Sequence, residues 1–262
     1  MGLIGLICFT AFFTGYLLNM VTITVLYHRG LAHGAVTLRP WLRTLIQHGG
    51  IWITGLDPKA WVCMHRMHHV HSDTPSDPHS PVHLGIFGVL TGQLRSYKRT
   101  LIGLIRRDPE YTQHVRDLDF GVSRLNRNGL WLLPYALQVA LGVGLASLSG
   151  SALAGVLWVL GMMSHPVQGW AVNAFGHAMG RRSFETDDNS RNNHLVALLT
   201  MGEGYQNNHH AHPRSARFSY RRGELDIGYA FVALLGAVGA LAIDREHLIP
   251  DAAHPAPAEL SR

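Results

Sequence analysis

MGLIGLICFTAFFTGYLLNMVTITVLY, residues 1–27, carries no charged side chain. A bilayer core takes about 20 helical residues to cross, so this run is long enough for one membrane span. A secretory signal would open on basic residues and close on a small-residue cleavage site. This run has neither, and it leads directly into His28-Arg-Gly-Leu-Ala-His33. It therefore reads as a retained transmembrane helix, and that reading sets the fold class.

A second apolar run extends from Gly129 to about Phe175, interrupted at Ser147-Leu-Ser-Gly-Ser151. The interruption has turn composition, so the run reads as a hairpin of two spans at about 130–148 and 152–172. Trp41–Leu56 and Leu84–Leu94 are apolar but short and glycine-rich, as interfacial or re-entrant pieces are. The run Ile227–Ile243 reads as an interfacial helix. No repeat, low-complexity tract or linker divides the chain. The expectation is one all-α membrane domain over 1–262, polytopic, with about three transmembrane helices and a cytoplasmic histidine-rich helical cap.

Charge sets the orientation. The 22 lysines and arginines fall within 29–127, 181–222 and 245–262, and none lies before Tyr27 or in the 147–151 turn. The positive-inside rule then puts the N-terminus outside and residues 28–129 and 176–262 in the cytoplasm. A sequence pI near 9.5 follows from that topology and from attraction to anionic lipid headgroups. No nucleic-acid partner is expected, because the basic residues are scattered without aromatic interleaving or a recognisable module. Cys8 and Cys63 are the only cysteines, so a thiolate cluster or disulfide framework is excluded.

Histidine carries the chemistry. His65, His68 and His69 stand at i, i+3 and i+4, which share one helix face and can serve two neighbouring metal ions. Gln206, His209 and His210 repeat that spacing; the glutamine can coordinate weakly, orient a water or only hydrogen-bond. His28 and His33 would sit about 140° apart on a continuous helix, so they converge only if the helix ends between them, as Gly30 and Gly34 suggest. Asn173 and His177 are i, i+4 neighbours at the end of the hairpin, where a polar group is a functional candidate. His48, His114, His165, His247 and His254 read as structural or solvated. His71, His79, His83, His194 and His212, with Asp73, Asp77 and Asp188, are candidates to orient ligating imidazoles.

These residues are similar to those of the membrane fatty acid desaturases, most closely the Δ9 acyl-CoA or acyl-lipid (stearoyl-CoA desaturase-like) branch. The resemblance runs from about Thr14 to Asp226. Besides the H-x4-H and H-x2-H-H boxes it includes Ser72-Asp73, Asp77-Pro78-His79-Ser80-Pro81, Asn173-x3-His177 and Gly202-Glu203-Gly204-Tyr205. It implies a non-haem di-iron centre. His28, His33, His69 and His210 would hold one iron, with Asn173 acting through a water; His65, His68, His177 and His209 would hold the other. It also implies an acyl tunnel lined by Trp61 and Trp170, and no catalytic residue beyond the metal ligands. Three departures stand out. Gln206 occupies a position that is usually histidine, and Gly169 one that is often threonine. The chain also starts at what would be the second of four spans.

The reaction implied is insertion of a cis double bond, expected at Δ9, into a saturated acyl chain carried as acyl-CoA or acyl-lipid, with O2 as co-substrate reduced to water. A histidine-rich site with few carboxylates suits iron in oxygen activation. No Rossmann fingerprint or haem motif is present, so the electrons are expected from a separate ferredoxin-, rubredoxin- or cytochrome b5-like donor with its reductase. The rival oxidative reading is a hydroxylase or ketolase of a lipid or carotenoid. A metal transporter is the distant rival, and it would place its ligands in mid-span.

Overall fold

The structure is a computed structural model that describes residues 2–249, so His254 and the end of the 176–262 segment lie outside the described residues. In chain order the main elements are α1 (Leu3–Val21), a π-helix (Thr22–Ala32), β1 (Val36–Leu38), α2 (Pro40–Thr54), α3 (Pro58–His71) and α4 (Pro81–Arg106). There follow α5 (Leu133–Ser149), α6 (Ala152–Met162), α7 (His165–Trp170), a π-helical turn (Ala171–Phe175), α8 (His194–Leu199), α9 (Gln206–Ala211), α10 (Ile227–Ala237) and β2 (Leu241–Ile243). Two compact units result. The first comprises residues up to Ala32, Pro40–Arg66 and Leu94–Val167; the second comprises His33–Arg39, Met67–Gln93 and the chain from Gln168.

In the first unit, α1 runs without interruption into the π-helix. Among the described residues, Leu3–Ala32 is the one helix long and apolar enough to cross a membrane. The hairpin expected at 130–148 and 152–172 is present as α5 and α6, of 17 and 11 residues, both shorter than the expected spans. Gly150, at φ 67°, makes the turn between them, and the Ser151 side chain caps α6 by accepting from Ala154 N. The expected third span is cut at Met163–Ser164. There Ser164 Oγ donates to Gly161 O at 2.7 Å, and Pro166 offers no N–H to continue the ladder. Its apolar neighbours hid that proline in the sequence reading.

Packing in this unit relies on small residues. A Cβ added to Gly155 would lie 2.3 Å from Gly142 O, and one on Gly161 would lie 2.3 Å from Phe12 O. Such contact lets helix backbones approach closely, as in membrane helix pairs. Asn19, fully buried on α1, donates from Nδ2 to Met162 O at 2.7 Å. Large apolar side chains such as Phe9, Phe13, Leu141, Val143, Leu153 and Leu160 face outward. Small residues inside and large apolar ones outside reverse the pattern of a helix face turned to water.

In the second unit β1 pairs antiparallel with β2, Val36 opposite Ile243 and Leu38 opposite Leu241. The expected helix over Ile227–Ile243 therefore stops at Ala237, and its last three residues form a strand. The polar loop 181–226 is held by two buried asparagines. Asn207 Oδ1 accepts from Ser183 N and Phe184 N, and its Nδ2 donates to Phe184 O. Asn208 Nδ2 donates to Phe218 O at 2.8 Å, and its Oδ1 accepts from Asn192 Nδ2 at 2.7 Å. The helix α4 extends well past the expected Leu84–Leu94 patch and bends at Gly85.

Candidate metal centre

The helix that carries the second histidine box starts on a buried acid. Asp57 Oδ1 accepts from Lys59 N and Ala60 N at 3.0 and 3.2 Å, and Pro58 follows where a missing N–H costs nothing. In the first unit the rings of His65 and His28 stand 4.4 Å apart, with ligand nitrogens within 4.8 Å. Trp61, one turn before His65, stacks on it at 5.1 Å and 12° and meets His28 edge-on at 5.9 Å. The expected helix end falls between His28 and His33. The π-helix continues to Ala32, and only Gly34, at φ 63°, takes the left-handed conformation after it.

In the second unit three imidazoles each place Nδ1 on a carboxylate. His68 Nδ1 lies 3.0 Å from both oxygens of Asp77, His177 Nδ1 lies 3.0 Å from Asp73, and His210 Nδ1 bonds Asp188. A carboxylate only accepts, so each Nδ1 carries a proton and Nε2 is the nitrogen turned away from the acid. The ligand atoms of His68, His177 and His210 lie within 4.8 Å of one another. His177 Nε2 and His210 Nε2 are buried without a hydrogen-bond partner. Burial pushes the His210 imidazole down to about 4, although Asp188 pulls it up, so it is neutral at physiological pH. Burial would raise the Asp73 carboxyl, but bonds from His177, Ser80 and Asn189 N hold it at about 2. The same balance, with His68 and His210 as donors, holds Asp77 and Asp188 well below the carboxylate range.

A second set forms beside it in the same unit. His33, His69 and His209 offer ligand atoms within 4.8 Å, and the Nε2 atoms of His69 and His209 are 2.9 Å apart. Two imidazoles bonded to one ion at about 2.1 Å and near a right angle would stand about 3 Å apart. This grouping differs from the one carried over by resemblance. His209 stands with His33 and His69, while His210 stands with His68 and His177. The donor set fits metal: clustered imidazoles, three of them oriented by acids that themselves stay ionised.

Other expected residues fall as follows. Gln206 is buried and its Nε2 donates to Glu203 O at 2.8 Å. Asn173 lies half-buried in the π-helical turn. Trp170 Nε1 donates to Ile86 O at 2.7 Å, and its ring meets Phe87 and Phe175. His79 is buried and stacks on His68 at 4.7 Å, while its N–H holds Asp77 Oδ1. The sequence reading missed Asn207 and Asn208, which hold α9 in place. The signal was available: two amides between Gln206 and His209, on a helix too short to stand alone.

Buried imidazoles tied to carboxylates, in a helical chain with a span-length apolar helix, define a histidine-box protein. Comparison makes the class specific: a family model described as fatty acid desaturase matches residues 5–225. The chain belongs to the fatty acid desaturase family, whose members are oxidoreductases acting on acyl chains. It is similar to the hex-5-enoyl-[acyl-carrier protein] acetylenase of Moorena producens, 31% identical over 236 residues, covering 85% of this chain and 72% of that protein. It is 32% identical to the chloroplastic palmitoyl-monogalactosyldiacylglycerol delta-7 desaturase of Arabidopsis thaliana, over 84% of this chain and 57% of that protein. It is 33% identical to the sn-1 stearoyl-lipid 9-desaturase of a Synechocystis species, over 86% of this chain and 68% of that protein. The chain thus spans under two thirds of the Arabidopsis protein's length. These names differ in acyl carrier and bond position at nearly equal identity.

Proposed function

We propose that this chain is a multi-pass membrane desaturase that introduces a cis double bond, at Δ9, into a saturated acyl chain carried as acyl-CoA or acyl-lipid. The observation that carries the reading is the trio His68, His177 and His210, each with Nδ1 on an acid and with ligand nitrogens within 4.8 Å of one another. On this reading His28, His33, His65, His68, His69, His177, His209 and His210 hold two irons, with Asn173 acting through a water. The irons, when bound, supply the activation of O2 that unreactive methylene C–H bonds require.

The protein's own contribution is positional. Asp73, Asp77 and Asp188 keep a proton on each Nδ1 and fix the ring planes, so little reorganisation accompanies metal binding. Trp61 and Trp170 wall the path of the acyl chain, and the distance the chain travels before it meets the histidines selects the bond. The histidine centre faces the cytoplasm, where the basic surface receives a ferredoxin-, rubredoxin- or cytochrome b5-like donor.

Expression in a host of known lipid composition, followed by fatty-acid profiling, tests the reading. A new double bond from the parent, absent in His68→Ala although that variant still reaches the membrane, supports it. A new oxygen atom would point to a hydroxylase or ketolase. Unchanged lipids with altered metal uptake would point to transport.

A further inference from the structure

The first unit holds a cavity of about 390 Å³ between α2 and the segment 120–127. Its floor is apolar, with Ile51 and Val122 at 1% and 8% exposure and with Trp52 and Phe120 beside them. Its rim is polar and cationic, with Arg124 and Arg127 the charged members. The two arginines stand at i, i+3 on the helical turn Arg124–Arg127, on one side of it.

Nearby acids are engaged elsewhere. Asp119 pairs with Arg43 at 2.6 Å, and Asp117 pairs with Arg66. The Asp57 carboxylate is turned to Ser123 N and Asn126 Nδ2. Among the described residues the guanidinium groups of Arg124 and Arg127 make no hydrogen bond or ion pair. Two such forks beside an apolar floor match a phosphate with an apolar body attached. The volume falls within the range of about 300–1,000 Å³ common for small-molecule pockets.

The surroundings say where that ligand comes from. Leu130, Trp131, Leu132 and Leu133, at the entrance to α5, are each more than two-fifths exposed. Exposed tryptophan and leucine just after a basic segment, at the start of an apolar helix, mark the headgroup level of a bilayer. We propose that this cavity binds the phosphate-bearing headgroup of an anionic phospholipid, the phosphate between Arg124 and Arg127 and the first apolar part of the lipid on Trp52 and Ile51. None of the cavity's lining residues is a candidate metal ligand.

The test is native mass spectrometry of the full chain in mild detergent, titrated with phosphatidylglycerol, phosphatidylcholine, inorganic phosphate and coenzyme A. One phosphatidylglycerol is retained per chain in preference to phosphatidylcholine. The double variant R124Q/R127Q weakens that binding roughly tenfold or more, as loss of charge-assisted hydrogen bonds requires. R106Q, an exposed arginine outside the cavity, leaves it unchanged. Parent-like binding in the double variant, or an equal loss in R106Q, overturns the site. Displacement of the lipid by coenzyme A or phosphate at concentrations below that of the lipid overturns the lipid source. Both variants are surface charge changes, and an unfolding curve matching the parent confirms that each is folded.

Discussion

His177 Nδ1 and the Asp73 carboxylate are 3.0 Å apart, although 104 residues separate them in sequence. The carboxylate also accepts from Asn189 N at 2.7 Å and Ser80 Oγ at 2.6 Å. Asp73 has φ 60°, a left-handed conformation that aspartate tolerates better than most residues. One side chain thus joins the end of the second box, the Asp-Pro-His-Ser-Pro string and the loop after the hairpin.

Asp73→Asn is expected to weaken iron binding about 10- to 100-fold, the usual cost of losing the acid behind a ligating histidine. All three partners donate, so an amide must turn an N–H toward at least one of them. Iron content after equilibration against a chelator reads the effect, and a variant that retains iron like the parent would remove Asp73 from this role.

Gln206 gives a different expectation. Its amide donates to Glu203 O, so Gln206→Ala should retain most iron and lose about 1 kcal/mol of stability, the usual worth of a hydrogen bond. Gly176→Ala should do more harm, because its Cβ would fall 2.5 Å from Gln206 Cγ and displace the neighbouring His177. Iron content and thermal unfolding of both variants check this. A large iron loss in Gln206→Ala with stability intact would return the amide to the metal.

Helix packing in the first unit can be probed with two glycines. Gly161→Val should destabilise by several kcal/mol, since the first added carbon already meets Phe12 O at 2.3 Å. Gly144→Val, with nothing within 4 Å of the added carbon, should be close to silent. Unfolding in detergent compares them, and equal behaviour would contradict the α1–α6 contact.

Orientation follows from the arginine and lysine distribution. Reporter fusions at Gly150 and at the C-terminus should report opposite compartments. Agreement on the cytoplasm would mean that α5 and α6 do not cross as a hairpin.

Local features were legible in the sequence because they depend on local periods. The uncharged run before His28, the turn at Gly150 and the shared face of His65, His68 and His69 need only the helix repeat. The resemblance of the boxes to the desaturase family came from short strings in order. Tertiary structure alone decided which imidazoles meet. His209 and His210 are neighbours in sequence and point about 100° apart on α9, so the docking of that helix sends one to His33 and His69 and the other to His68 and His177. Asn207 and Asn208 fix that docking through bonds to loop residues up to 24 positions away, beyond any helical period. The pairing of Val36–Leu38 with Leu241–Ile243 is equally invisible in either segment alone, because a strand's hydrogen bonds are completed by a partner that only the folded chain supplies.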